Sequence, residues 1–196
     1  MDQKLKNKIL AYEKLILAGN AYNKCYFHMC YGDKEWEDVY KISPGFFSLA
    51  RQSFQYQYFL ILAKIYESSG RSDDNLVKLL NFVQSNNGQI TMTKKEELNQ
   101  LISDLNNKLS RFEDTIMKVM TFRDKVIAHN DKAFFDLEKR KNFAVDISYD
   151  DICSLFDFAG EVVNRLNYIL YDSKSHLEYT NGEDFKSLMS FCLKNL

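Results

Sequence analysis

Proline occurs once and glycine seven times in 196 residues, so the chain lacks the punctuation of a many-turned β architecture and favours long, uninterrupted helices. A charge imbalance is missing too: 26 basic against 27 acidic residues leave a formal net charge of −1. That excludes bulk attraction for nucleic acid, and any RNA or DNA contact must depend on a local basic patch or a buried site. No stretch approaches the ~20 apolar residues of a membrane span, and the opening MDQKLKNKIL has no apolar core of a signal peptide. A soluble cytoplasmic protein is expected. The four cysteines, Cys25, Cys30, Cys153 and Cys192, fall in no CxxC or Cys/His ligand spacing. They read as reduced small hydrophobes, with no disulfide and no zinc.

What the chain has in quantity is apolar and aromatic side chain, 45% and 14% of residues. That suffices for one real core and is short for two, so residues 1–196 read as a single domain. Apolar residues at helical intervals (Leu5, Ile9, Tyr12, Ile16) predict a first helix over 3–30, with Gly19 and Asn20 as a weak point. Residues 33–42, with Trp36 and Tyr40, read as a short helical turn or a packed loop. Ser43 followed by Pro44 starts a helix to about Ser68, because the residue before proline prefers extended backbone and proline suits the first helical position. This helix is apolar on nearly every side, which predicts a place in the middle of a bundle.

Leu76, Leu79, Leu80 and Val83 mark a shorter helix. Thr93 with Glu96 reads as a capping box opening the longest pattern in the chain. There Leu98, Ile102, Leu105, Leu109, Phe112, Ile116 and Val119 follow at steps of four and three, the seam of a helix packed along its length. Ser110 and Glu113 suggest a second box and a kink near Lys108. Ser148 and Asp151 form a third, opening a helix to about Tyr171, and Thr180 with Glu183 precedes a last helix carrying Phe185, Leu188, Met189 and Leu193. The expected fold class is all-α, a single bundle of five or six helices.

The next seam positions after Val119 are Arg123 and Val126, in FRDKVIAHND, residues 122–131. A guanidinium on a seam is costly unless it is paired or faces a cavity admitting solvent or ligand. One reading is an ion pair with Glu67, Glu161 or Asp157 on another helix, Asp124 being adjacent and poorly directed. His129 likewise fits a helix C-terminus through the macrodipole. The other reading joins the two. On an ideal helix six steps of about 100° leave the side chains roughly 120° apart, but Asn130 is a plausible left-handed C-cap, and a helix ending there lets His129 swing toward Arg123. An imidazole can move protons, and an arginine can hold a phosphate bidentately and stabilise charge developing on it. Those roles suit metal-free RNA cleavage by the substrate's own 2′-hydroxyl, with no cofactor.

Arg123, the polar Asp124, and His129 after five intervening residues, on a late helix of an all-α bundle, resemble the HEPN superfamily. The stretch LAKIYESSGRSDDNLVKLL, residues 62–80, and the amphipathic DDICSLFDFAGEVVNRLNYIL after the motif resemble abortive-infection HEPN proteins of the AbiU type, over roughly residues 46–171. Lys64 stands where arginine is expected and Glu67 where aspartate is expected; both keep the charge. The resemblance implies a metal-independent endoribonuclease of toxin or antiphage type, working on RNA as a homodimer whose Arg/His pairs meet at the interface, with an antitoxin protein as a candidate partner. Arg123 would then stabilise the scissile phosphate and His129 move protons. Asp124 would orient a neighbouring group, Asn130 donate a hydrogen bond, and Arg51 line the same cleft or serve the surface. Position 131 is aspartate rather than the tyrosine of nucleotidyltransferase-regulated relatives, so regulation by adenylylation there is not supported.

Other features read more plainly. The runs KKEE at 94–97 and LEKRKN at 137–142 are solvated faces, the second also a candidate phosphate-attracting patch. Tyr56, Tyr58 and Tyr66 sit on helical periods and favour core packing over base stacking. His28 and His176 carry no assigned role. Two alternatives to the ribonuclease remain: a non-catalytic nucleotide-binding or interaction module of the same fold, and a plain bundle with an arginine ion pair on its seam.

Overall fold

Alternation of apolar residues at steps of three and four carries through most of the chain, and the computed structural model is helical wherever that pattern runs. It describes residues 2–32, 34–67, 74–89, 95–128, 146–175, 177 and 181–195. Helix α1 (Asp2–Tyr31) is unbroken. Gly19 is not a weak point: it is buried on the seam, where a Cβ would overlap the ring of Phe156. A 3-10 turn (Lys34–Trp36) leads into the short α2 (Glu37–Ile42), then α3 (Pro44–Tyr66), α4 (Leu76–Ser85), α5 (Lys95–Leu109) and α6 (Glu113–Phe122). Two further helices, α7 (Tyr149–Tyr171) and α8 (Asn181–Lys194), complete the described residues. A single 3-10 turn (Ser110–Phe112) joins α5 to α6. With these two taken as one rod, seven helices stand where five or six were expected; the addition is α2.

The main core is built on α7. Its Ile152, Leu155, Phe156, Ala159, Val162, Val163 and Leu166 are buried against Leu5, Ile9, Tyr12 and Ile16 of α1, Leu62 and Ile65 of α3, Leu79 and Leu80 of α4, and Leu98, Ile102 and Leu105 of α5. The α5–α6 seam is deepest at Leu98, Ile102, Leu105 and Val119, while Leu109, Phe112 and Ile116 are half-buried against the core. A satellite cluster of Trp36, Val39 and Met189 ties α2 to α8.

The expectation for α3 is corrected. Its buried residues begin only at Tyr58, and Phe46 and Leu49 are each 64% exposed. Apolarity around the axis predicted burial on all sides, yet in the N-terminal half only part of the surface is covered, Phe47 packing on the Trp36 cluster and Phe54 on Tyr22.

Helix ends follow local chemistry. Ser148 accepts from the Asp151 amide at 3.0 Å and the Asp151 carboxylate accepts from the Ser148 amide at 3.0 Å, the reciprocal box expected from the sequence. Asn75, fully buried, caps α4 by accepting from the Lys78 amide at 2.8 Å. Pro44 opens α3, without a side-chain cap from Ser43. Ser110 and Glu113 form no box: the Ser110 hydroxyl donates back to the Asn107 carbonyl at 2.9 Å, and the backbone there stays helical apart from the 3-10 turn. Thr93, Thr180 and Ser68 lie outside the described residues.

Candidate functional site

Helix α6 delivers the seam arginine through an unusual turn. The Thr121 hydroxyl bonds back to the Met117 carbonyl at 2.8 Å, a contact that bends helices, and the Arg123 amide is shared between the carbonyls of Val119 and Met120. From Arg123 to Ala128 the backbone is π-helical. Such single wide turns are rare and gather at functional sites. The step of about 100° per residue of an ideal α-helix therefore does not hold from Arg123 to Ala128.

The guanidinium is held at two points. Its Nη1 lies 2.9 Å from Glu67 Oε1 and its Nε donates to Asp124 Oδ1 at 2.7 Å. Glu67 caps the end of α3, its own amide bonded to the Ala63 carbonyl at 2.8 Å, so the end of α3 and the π turn are clamped together. Of the three acids expected as partners, Glu67 is the one used. Glu161 instead serves Lys108 at 2.6 Å and Arg165 at 3.4 Å, and Asp157 is exposed. Asp124, expected to be poorly directed, is a direct partner: the adjacency argument assumed α geometry. These bonds, to Asp124 first and then to Glu67, raise the Arg123 pKa further above its ordinary value. One cation between two carboxylates makes the trio net negative.

Behind Arg123, Phe122 stacks on Phe59 with ring centres 4.0 Å apart and planes 23° from parallel, and Tyr56 meets it edge-on. Tyr66 is core, donating from its hydroxyl to the Leu155 carbonyl at 2.5 Å, and Tyr58 is buried. Burial raises the pKa of both phenols, so neither serves as a base near neutrality. Arg51 is exposed on α3, near enough to Tyr26 and Tyr40 for its charge to pull down their pKa values against the larger effect of burial. His129, Asn130, Asp131, His176 and the run 137–142 lie outside the described residues.

The four cysteines are half-buried and none is in a disulfide. Among the described residues no helix is long and apolar enough to cross a membrane, and no three His, Cys, Asp or Glu side chains gather as a metal site. Among the described residues two buried polar side chains escaped the sequence reading, Asn75, which caps α4, and Asn23 on α1. The signal for Asn23 was present, since Ile9, Tyr12, Ile16, Gly19 and Asn23 continue the alternation of three and four, which puts an amide where an apolar side chain is due.

The family model HEPN_AbiU2, described as AbiU2, matches residues 2–188, more of the chain than the stretch that carries the resemblance in sequence. No curated protein and no solved structure matches it.

Proposed function

The chain belongs to the AbiU2 family of HEPN proteins, and from that premise we propose that it is a metal-independent endoribonuclease of abortive-infection type. The observation that carries this reading is Arg123, set in a π-helical turn six positions before His129 and positioned by two carboxylates. In the proposed reaction the 2′-hydroxyl of RNA attacks the adjacent phosphorus. A new O–P bond forms as the bond to the 5′-oxygen breaks, leaving a cyclic phosphate and a free 5′-hydroxyl. His129 takes the 2′ proton or returns one to the leaving oxygen. Arg123 binds the non-bridging oxygens and stabilises their growing charge. Asp124 orients the guanidinium through Nε, Asn130 donates a hydrogen bond, and Arg51 adds a cation on the α3 side.

The active form in this reading is a homodimer, and the residues 1–196 act as one domain. Support for the dimer comes from α3, where Phe46, Leu49 and Leu60 recur at helical spacing and are all exposed, with Met117 of α6 also exposed. An antitoxin protein is a further proposed partner.

Purified protein incubated with mixed single-stranded RNA in excess EDTA tests the proposal. Cleavage to cyclic-phosphate ends is expected, lost in His129→Ala with an unchanged unfolding midpoint. Equal cleavage by the variant removes the catalytic assignment. A second reading, a non-catalytic nucleotide-binding or interaction module, is favoured by the self-paired state of Arg123, and predicts RNA binding without turnover in the same assay.

A further inference from the structure

A near-neutral chain that binds a polyanion must gather its basic residues locally, and the first half of α1 gathers them. Lys4, Lys8, Ala11 and Leu15 follow at steps of four, three and four, so they form one row on the helix surface, with Lys14 in the neighbouring row. With Lys64 of α3 and Asp74 before α4, they line a groove of about 950 Å³. That volume lies near the top of the ~300–1,000 Å³ range of ligand sites. Lys8 pairs with Asp74, the residue before the α4 cap Asn75, so one wall of the groove is tied in place. Lys4, Lys14 and Lys64 are exposed, and none forms an ion pair with a described residue.

A site for one small anion gathers its cations at a point. Here Lys4 and Lys14 stand ten residues apart on α1, about 15 Å along its axis, and a line of cations matches a line of phosphates. The floor between them is aliphatic, with Ala11 exposed and Leu15 half-buried. Tyr12, the aromatic among the described lining residues, is 4% exposed, so no ring face is on offer for base stacking. Contacts to phosphate position a strand without reading its sequence. A duplex keeps its bases stacked inside and leaves the floor uncovered, whereas unpaired bases cover it. Lys64 also joins the groove to the arginine site: it stands three residues before Glu67 and neighbours it on the helix surface, and Glu67 Oε1 lies 2.9 Å from Arg123 Nη1.

We infer that this groove holds the single-stranded RNA flanking the scissile phosphate, with Lys4, Lys14 and Lys64 pairing with its phosphodiesters whatever the bases. The inference rests on the ribonuclease reading for its ligand class. Each phosphate neutralised on a single strand releases counterions, so the logarithm of affinity falls by ~0.7 per contact for each tenfold rise in salt.

The test titrates the full chain with fluorescent 2′-O-methyl oligonucleotides, which lack the attacking hydroxyl, across a range of salt concentrations. Oligo-U and oligo-A strands are expected to bind alike. Lys4→Gln, Lys14→Gln and Lys64→Gln together are expected to weaken both at least ~10-fold at low salt and to flatten the salt slope by ~2, with helical circular dichroism unchanged. Lys24→Gln, Lys95→Gln and Lys194→Gln, at exposed lysines outside the groove, remove the same charge and are expected to change neither quantity. Equal losses in the two triple variants, a marked preference between oligo-U and oligo-A, or a duplex bound as tightly as the strand overturns the inference. Absence of RNA binding, whether or not phosphatidylserine vesicles bind, overturns it too. RNA cleavage with a wild-type KM in the groove variant overturns the groove and leaves the ribonuclease standing. Groove-dependent binding without any cleavage of ordinary RNA supports the groove and rejects the ribonuclease.

Discussion

In the ribonuclease reading, a phosphate arriving at Arg123 meets a guanidinium already held by Asp124 and Glu67 and competes with them for its donors. Asp124 is 51% exposed and Glu67 25%; the more solvated acid gives way at lower cost. Asp124→Asn should therefore bind uncleavable single-stranded RNA severalfold more tightly at low salt, by fluorescence anisotropy, with the gain shrinking as salt screens it. Unchanged affinity would mean that Asp124 does not compete for the cation. Arg123→Met should remove cleavage while costing at most ~1 kcal/mol of stability, read by urea denaturation. A loss of several kcal/mol would mark Arg123 as structural. The misplaced arginine was legible because a seam makes one charge conspicuous. Its partner was legible only to within three acids, since choosing Glu67 requires knowing how the end of α3 meets α6. Asp124 was set aside on α-helical geometry that the π turn does not obey.

Elements show the same mixture. Gly19 reads as a weak point because glycine lowers helix propensity, yet the close approach of Phe156 requires it. Gly19→Ala should cost about 1–3 kcal/mol by overpacking and lower the thermal midpoint by several degrees; a stabilised variant would show that Phe156 moves aside freely. The sequence held three capping boxes, and the described residues test two. Ser148 begins from extended backbone and its box forms, whereas Leu109 before Ser110 is already helical, so the second pattern has no helix start to cap. Ser148→Ala should cost ~1 kcal/mol. The bonds to Ser148 hold the Asp151 carboxyl below its ordinary pKa, so its contribution is present above the unfolded-state value of about 3.9. It is lost as pH falls through the lower folded value. Urea midpoints of wild type and Asp151→Asn should differ at pH 7 and converge as the pH falls through the lowered folded-state pKa; a constant gap would assign the effect to something other than ionisation.

At the scale of the molecule, the sequence called for an all-helical bundle and the described residues deliver one, because periodicity reports which face of each helix is apolar. It does not report what covers that face. Helix α3 was expected at the centre, and that place belongs to α7, while Phe46, Leu49 and Leu60 of α3 remain exposed in one chain. Leaving such a stripe in water forfeits about 25 cal/mol for each Å² that could be buried. A second copy presenting the same stripe across a two-fold axis would cover both at once. α3 also ends at Glu67, the residue that clamps Arg123, so pairing along α3 would link the two sites through a shared rod. Phe46→Glu combined with Leu49→Glu touches nothing in the main core. If α3 pairs in this way, the wild type should sediment at equilibrium as a dimer and the variant as a monomer, with unchanged helical circular dichroism. If the site is completed across the interface, cleavage should fall in the same variant and return when concentration drives the weakened dimer together. A monomeric wild type, or a variant that still dimerises, would place the covering partner elsewhere, because two introduced carboxylates facing their own copies cannot be buried without loss.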